Sequence, residues 1–292
     1  MMNYLKRILT GIFLLFAVAV TAVLVSVIIC ATCIRTVNYS VALDSVSTPV
    51  RIVCISDLHG KQFGRNNTRL INKIQAQDPD VIFLVGDMID RTASQAEVDR
   101  FLSLVTALSQ LAPVYFSPGN HEQEYLKTHD ELLAQVAQAG ATVVNDTYVD
   151  VTIAGQPLRI GGTMGHGFPF GRTMEQFAAS PEYRFLLAFE ATSRPKICLA
   201  HMPDTFIFNG AYTLWDVDLV LSGHTHCGLI RIPFVGGLYA PMQGWFPEYD
   251  YGYFLLGEQM QMIITSGLAG YGPVPRVNNL PEIAVIDLVP AN

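Results

Sequence analysis

Five short runs of this chain carry side chains suited to divalent metals, each directly after an apolar segment. They are Asp57-Leu58-His59, Gly86-Asp87 with Asp90, Gly119-Asn120-His121-Glu122, Leu199-Ala200-His201, and Gly223-His224-Thr225-His226. Ions that hydrolyse phosphate esters take carboxylate, imidazole and carbonyl-oxygen donors. Asp57 and His59 are two apart, so on an extended chain both side chains point the same way and can share one ion. His224 and His226 repeat that spacing. Asp87 offers two oxygens, which suits a carboxylate bridging two ions, and Asn120 adds a neutral oxygen where more negative charge would over-neutralise the site. Together these donors read as a two-metal hydrolase site. Five of the seven histidines fall in these runs, which separates the pattern from a scatter of structural or surface histidines. Of the other two, His129 reads as a solvated helix residue, and His166 stands in a glycine-rich loop that either borders the cleft or serves only the loop.

The segments before the runs, residues 51–56, 81–85, 114–117, 196–200 and 219–222, read as buried strands. Ligands in α/β sheets collect at the carboxyl ends of strands. Apolar residues recur at helical spacing over 67–77, 95–111 and 130–139, with Gly140 as a stop. Beyond Thr142 strands dominate, at 149–153, 158–161, 254–256, 261–265 and 283–288. Gly155-Gln156 and Gly257-Glu258 mark hairpin turns, and only 175–189 offers a helix. The fold class is α/β (α+β): a two-sheet β-sandwich flanked by helices.

Residues 8–34 carry no charge and are mostly Ile, Leu, Val, Phe and Ala. A helix needs about 20 such residues to span a bilayer, and this run exceeds the ~7–15 of a signal-peptide core. The expectation is an uncleaved transmembrane helix at 8–34, an N-terminal tail at 1–7, a linker at 35–49 and one domain at 50–292. Lys6 and Arg7 precede the apolar run and Arg35 alone follows it, so the positive-inside rule puts the domain on the extracytoplasmic side of the cell membrane. The five cysteines form no disulfide framework: Cys54 and Cys198 fall within strands, and Cys227 is either a packing residue or a further metal ligand. With a net charge of −7 and no basic cluster, nucleic acid is not an expected partner.

The order D-x-H, G-D-x-x-D, G-N-H-E, H, G-H-x-H resembles the calcineurin-like metallophosphoesterase superfamily, from about Val50 to the end of the chain. Residues 221–233 are similar to a membrane-associated bacterial phosphodiesterase branch. That branch usually continues Gly-Gly-Gln after the last histidine, where this chain has Cys227-Gly228-Leu229. The resemblance implies Asp57, His59, Asp87 and His226 around one ion, and Asp87, Asn120, His201 and His224 around the other. It implies manganese as the metal, with iron or zinc as alternatives, and His121 as the acid that protonates the leaving oxygen. Asp90 and Glu122 would orient histidine rings. The resemblance further implies that two such ions, ~3.5–4 Å apart, would supply a hydroxide for in-line attack on phosphorus. Arg276, in Pro273-Val274-Pro275-Arg276, matches an arginine of that branch; it forks onto phosphate or pairs a carboxylate. The aromatic groups at 168–170 and 245–254 receive an acyl chain, sit at the membrane interface, or pack their own hairpins.

The implied substrate is a phosphodiester or pyrophosphate, and the anchor favours one linked to lipid or envelope. One related activity in the superfamily, cleavage of UDP-2,3-diacylglucosamine in lipid A synthesis, requires the cytoplasmic face instead. The rival of another class is a catalytically inactive scaffold, which predicts missing ligands; here every ligand position is filled.

Overall fold

The computed structural model describes residues 2–270, 272 and 274–291; Pro273, in the run that carries Arg276, lies outside them. The strands are β1 (Arg35–Leu43), β2 (Val50–Ile55), β3 (Val81–Val85), β4 (Val114–Ser117), β5 (Ala141–Val143), β6 (Thr147–Ile153), β7 (Gln156–Thr163), β8 (Lys196–Ala200), β9 (Leu219–Ser222), β10 (Arg231–Ile232), β11 (Gly236–Gly237), β12 (Tyr239–Ala240), β13 (Gly244–Trp245), β14 (Gly252–Leu256), β15 (Met260–Ile264) and β16 (Glu282–Pro290). The helices are α1 (Met2–Thr32), α2 (Thr68–Gln75), α3 (Gln95–Ser109), α4 (Asn120–Tyr125), α5 (Leu132–Gln138), α6 (Met174–Ala178), α7 (Pro181–Glu190) and α8 (Asp204–Ile207).

Two six-stranded sheets carry the domain, in the orders β1-β16-β2-β3-β4-β5 and β14-β15-β9-β8-β7-β6. Strands β2 to β5 run parallel, as do β7, β8, β9 and β15. Alternate side chains along each strand face opposite layers. Ile52 and Cys54 of β2, Phe83 of β3, Ile197 and Leu199 of β8, and Leu219 and Leu221 of β9 fill the core between the sheets. The intervening Val53 and Ile55 pack under α2, α3 and α5. Cys198, Ala200 and Val220 pack on the far side, with Phe177, Phe185, Phe189 and Phe206. This is the expected sandwich with helices outside.

Four expectations need correction. The tail at 1–7 is helical from Met2, and the helix ends at Thr32. Residues 35–49 are not a free linker, because β1 pairs in parallel with β16 from Arg35↔Glu282 to Leu43↔Pro290. Tyr39, Val41 and Leu43 alternate onto the inter-sheet core, a period of two that marks a strand. The helix at 175–189 divides into α6 and α7: Ser180 caps α7 by accepting from Tyr183 N at 3.3 Å, and Pro181 starts it. The first hairpin turns at Ala154-Gly155, with φ of 49° and 84°, rather than at 155–156.

Helix α1 is long and apolar enough to cross a membrane, and none of its most apolar stretch is buried in the protein. Its last turns touch the domain. Ser26 Oγ accepts from Asn278 N at 2.7 Å, Cys30 is buried beside Asn279 N, and Arg69 Nη2 donates to Thr32 O at 2.6 Å.

Candidate metal centre

Every predicted ligand lies just past the carboxyl end of a parallel strand, and the two sheets aim these ends at one cleft. Sheet one delivers Asp57 and His59 after β2, Asp87 after β3, and Asn120 and His121 after β4; sheet two delivers His201 after β8 and His224 and His226 after β9. The turns are tight. Asp57, His59, Asp87, His224 and His226 all have positive φ, between 44° and 68°, a conformation that costs energy in non-glycine residues and clusters at functional sites. Gly119 and Gly223 let the loops close, because a Cβ on either would run into the carboxylate of Asp87 or Asp57.

Three groups of donors converge, each with its ligand atoms within 4.8 Å of one another: Asp57, His59 and His226; His59, Asp87 and His121; and Asp87, His201 and His224. Asp87 connects two of them. Its Oδ1 accepts from His121 N at 2.8 Å, while Oδ2 faces His201 Nε2 at 3.1 Å, His59 Nε2 at 3.7 Å and His121 Nε2 at 4.0 Å. Asp57 crosses between the sheets and accepts from His224 N at 3.0 Å. His201 Nδ1 donates to Val85 O at 2.8 Å and His226 Nδ1 to Ala269 O at 3.2 Å. Both bonds assign the proton to Nδ1 and turn Nε2 inward, as in metal-binding histidines.

The chemistry of this donor set fits cations. His59 Nε2, Asn120 Oδ1 and His224 Nε2 are buried, and no described residue hydrogen-bonds to them, whereas buried polar atoms are ordinarily satisfied. Burial lowers His59 to about 4 and, reinforced by positive neighbours, His224 and His226 to about 3, so these rings are neutral donors at neutral pH. Burial also opposes charge on His201 and Asp87, but their mutual attraction prevails. His201 rises to about 10, and Asp87 is held below the usual carboxylate range. A pair of buried carboxylates thus draws positive charge to the centre of the cluster, which is where a cation belongs.

Residues beyond the ligand set hold the loops. Asp90 Oδ1 lies 2.9 Å from His121 Nδ1, as expected of a ring-orienting carboxylate. The hydrogen bonds of Glu122 among the described residues go to backbone amides rather than to a histidine ring. Glu122 is fully buried and accepts from Asp87 N at 2.7 Å, Ile89 N at 3.0 Å and Gly119 N at 2.7 Å, which ties the β3 and β4 loops together. Burial and the neighbouring Asp87 raise it to about 7.

Among the described residues no ion pair joins Arg276 to a carboxylate. Its buried guanidinium donates to Ala269 O at 2.7 Å, to Ser266 O and to Asn279 Oδ1. Cys227 stands outside the three donor groups, with Sγ 2.9 Å from Arg231 Nη1, and burial pushes its thiol up to about 12. His129 is half-buried against Tyr125 with ring centroids 4.1 Å apart, and His166 packs on Phe168 and Phe170 in its loop.

Sequence reasoning missed Asn279, whose Nδ2 donates to His226 O at 2.7 Å and Leu229 O at 3.1 Å, and Ala269, whose carbonyl holds His226. The signal was a sixth strand end, Ser266-Gly267-Leu268-Ala269-Gly270, which follows β15 but bears no ligating side chain.

Comparison with known proteins agrees with this geometry. The chain is 28% identical over 261 residues to an uncharacterized metallophosphoesterase of Campylobacter jejuni, covering 86% of this chain and 62% of that protein. It is 28% identical over 251 residues to the phosphodiesterase YaeI of Escherichia coli, covering 83% of each. With a zebrafish transmembrane protein that carries a metallophosphoesterase domain it shares 26% identity over 258 residues, covering 82% of this chain and 53% of that one. This chain therefore spans about three-fifths of the length of the Campylobacter relative. Residues 50–228 match the calcineurin-like phosphoesterase family, and with the strand-end donors assembled as described, the chain belongs to that family.

Proposed function

We propose that this protein is a membrane-anchored, metal-dependent phosphoesterase that cleaves a phosphodiester or pyrophosphate. The observation that carries the reading is the position of Asp87 Oδ2 among three histidine Nε2 atoms, beside buried donors that lack hydrogen bonds. Asp57, His59, Asp87 and His226 would hold one divalent ion; Asp87, Asn120, His201 and His224 would hold a second. When bound, such ions supply Lewis acidity and lower the pKa of water at the phosphorus. Manganese suits these hard oxygen and imidazole donors, and iron or zinc would also be accepted.

The chain's own residues supply the remaining steps. Asp90 fixes the His121 ring through Nδ1 and leaves Nε2 at the rim of the cluster. From there it holds the proton that the leaving oxygen takes as its bond to phosphorus breaks. Glu122 and the backbone of Gly119 hold Asn120 and His121 in register with Asp87. The family membership, and the phosphodiesterase named among the relatives, support the reaction class. The exposed apolar surface of α1 supports anchoring, and Lys6 and Arg7 in its first turns, ahead of the apolar run, support an extracytoplasmic domain.

The test is turnover of bis(4-nitrophenyl) phosphate by the full chain in detergent micelles, after chelation and reloading with manganese, iron or zinc. Metal-dependent hydrolysis that Asp87→Ala abolishes is the expected result. If none of the three metals restores hydrolysis, a non-catalytic binding protein becomes the better account.

A further inference from the structure

We propose that the two small hairpins following the His224/His226 loop, β10–β11 and β12–β13, dip into the bilayer interface beside α1, and that the metal centre takes its phosphoester from a lipid headgroup. The inference deepens the membrane-anchored reading above and rests on it.

The hairpins carry an apolar surface that the fold does not use. Phe234 is fully exposed, Trp245 is 69% exposed, and Ile232, Val235, Met242 and Phe246 are exposed with them. Single exposed apolar residues are ordinary, but a cluster of this kind marks an interaction site. The backbone adds an independent observation. Phe234, Met242 and Phe246 have φ of 66°, 64° and 53°. A glycine or asparagine would adopt that conformation at less cost. Tyr239 and Trp245 pair edge to face across β12–β13, with centroids 5.5 Å apart. Trp and Tyr concentrate at the level of lipid headgroups.

Helix α1 sets the height of these hairpins. The apolar run continues through Ile29, and residues 8–29 form a helix ~33 Å long at 1.5 Å per residue, close to the ~30 Å of a hydrocarbon core. Ser26 and Cys30 then fall at the membrane surface, where they hold Asn278 and Asn279. Asn278 Nδ2 donates to Arg231 O at 3.2 Å, Arg231 N donates to Val277 O at 3.0 Å, and Ile232 is the next residue. The first hairpin therefore leaves the domain at the level where α1 leaves the bilayer. The bilayer is the occupant because the surface is apolar and continuous with a helix that is itself apolar and unburied.

The same hairpins touch the chemistry. A cavity of about 140 Å³ is lined by Thr225, His226, Leu229, Tyr239 and Pro241. It places His226 of the metal cluster and the base of the aromatic hairpin on one cavity, as delivery of a headgroup ester from the membrane surface would require.

The chain has two tryptophans, which permits a direct test. Trp215 is buried and donates from Nε1 to Gly167 O at 2.7 Å, while Trp245 is on the proposed contact. The full chain is reconstituted into phosphatidylcholine–phosphatidylglycerol vesicles with plain or brominated acyl chains. Bromine should remove the Trp245 emission, Trp245→Phe should show no bromine-dependent loss, and Phe234→Asp should weaken the quenching. A chain that floats with the vesicles yet emits equally in both lipids overturns the inference and leaves the anchor standing. A chain that does not float overturns the anchored reading and this inference with it. The substrate half is read from a ratio: turnover of a vesicle-borne phospholipid with a fluorescent headgroup ester, over turnover of bis(4-nitrophenyl) phosphate. Phe234→Asp should lower that ratio several-fold; an unchanged ratio overturns the assignment of a lipid substrate.

Discussion

The two sheets contribute differently to one site. Sheet one delivers both carboxylates, the amide of Asn120 and the imidazoles of His59 and His121, and its loops are fastened by the buried carboxylate of Glu122. Sheet two delivers only imidazoles, and its last loop is fastened from outside by Asn279 and Ala269, in the segment that touches α1. Two of the three donor groups combine a sheet-two histidine with Asp57 or Asp87, and the third, His59, Asp87 and His121, is built from sheet one alone. Both carboxylates therefore come from one layer while imidazoles come from both, and the two mixed donor groups form only where the packing between the sheets brings both to one edge.

The comparison breaks most severely at Asp87. Asp87→Ala removes the carboxylate that faces histidines from both sheets, so turnover should fall by more than the ~10²–10⁴-fold that a proton donor contributes. Single-turnover assays of the manganese-loaded protein measure this. A loss smaller than that of His121→Ala would contradict the bridging role. His121→Ala ranks second, with a drop of roughly 10²–10⁴-fold in kcat for alkyl esters. The drop should shrink for 4-nitrophenyl esters, whose leaving group needs no proton; a uniform loss across leaving groups would assign His121 to binding instead.

Much of sheet one was legible in the sequence, because both signals coincided there: apolar runs such as 81–85 ended directly in ligating side chains. The same reading worked for β8 and β9. It failed where the evidence was backbone rather than side chain. Ala269 acts through its carbonyl, and Glu122 acts on amide groups, so no residue type announced either role. Arg276, matched by resemblance to an arginine that forks onto phosphate or pairs a carboxylate, donates instead to the carbonyls of Ser266 and Ala269 and to Asn279 Oδ1. The polar composition of residues 35–49 hid β1, although Tyr39, Val41 and Leu43 alternate correctly for a strand. The partner of β1 is β16, more than 200 residues away, and a pairing at that separation leaves no local trace.

The two fastenings offer a finer test. Glu122→Gln should weaken metal binding about 10–100-fold, the range seen when groups supporting metal ligands are changed, and it should disturb the Asp87 donors first. Asn279→Ala should cost less, at the lower end of that range, and act through His226. Manganese titrations of each variant at two stoichiometries separate the effects. If both variants weaken the same ion equally, the loops are not held independently.

The smallest effect on chemistry should come from the layer between the sheets. Ile286 on β16 is buried in the inter-sheet core, and Ile74 on α2 is equally buried under the outer helices. Truncating either to alanine should cost about 2–5 kcal/mol of stability, as cavities in packed cores do, readable by denaturant unfolding. The consequences at the site should diverge. Ile74→Ala leaves both sheets in contact, so metal affinity should stay near that of the parent protein. Ile286→Ala loosens the one layer that aligns Asp57 and Asp87 with the histidines of β8 and β9, and a misalignment of ligands by a fraction of an ångström is enough to weaken a metal site. A few-fold rise in the manganese midpoint for Ile286→Ala alone would locate the alignment in the inter-sheet core. Equal midpoints in the two variants would show that the strand-end loops hold the site without help from the packing beneath them.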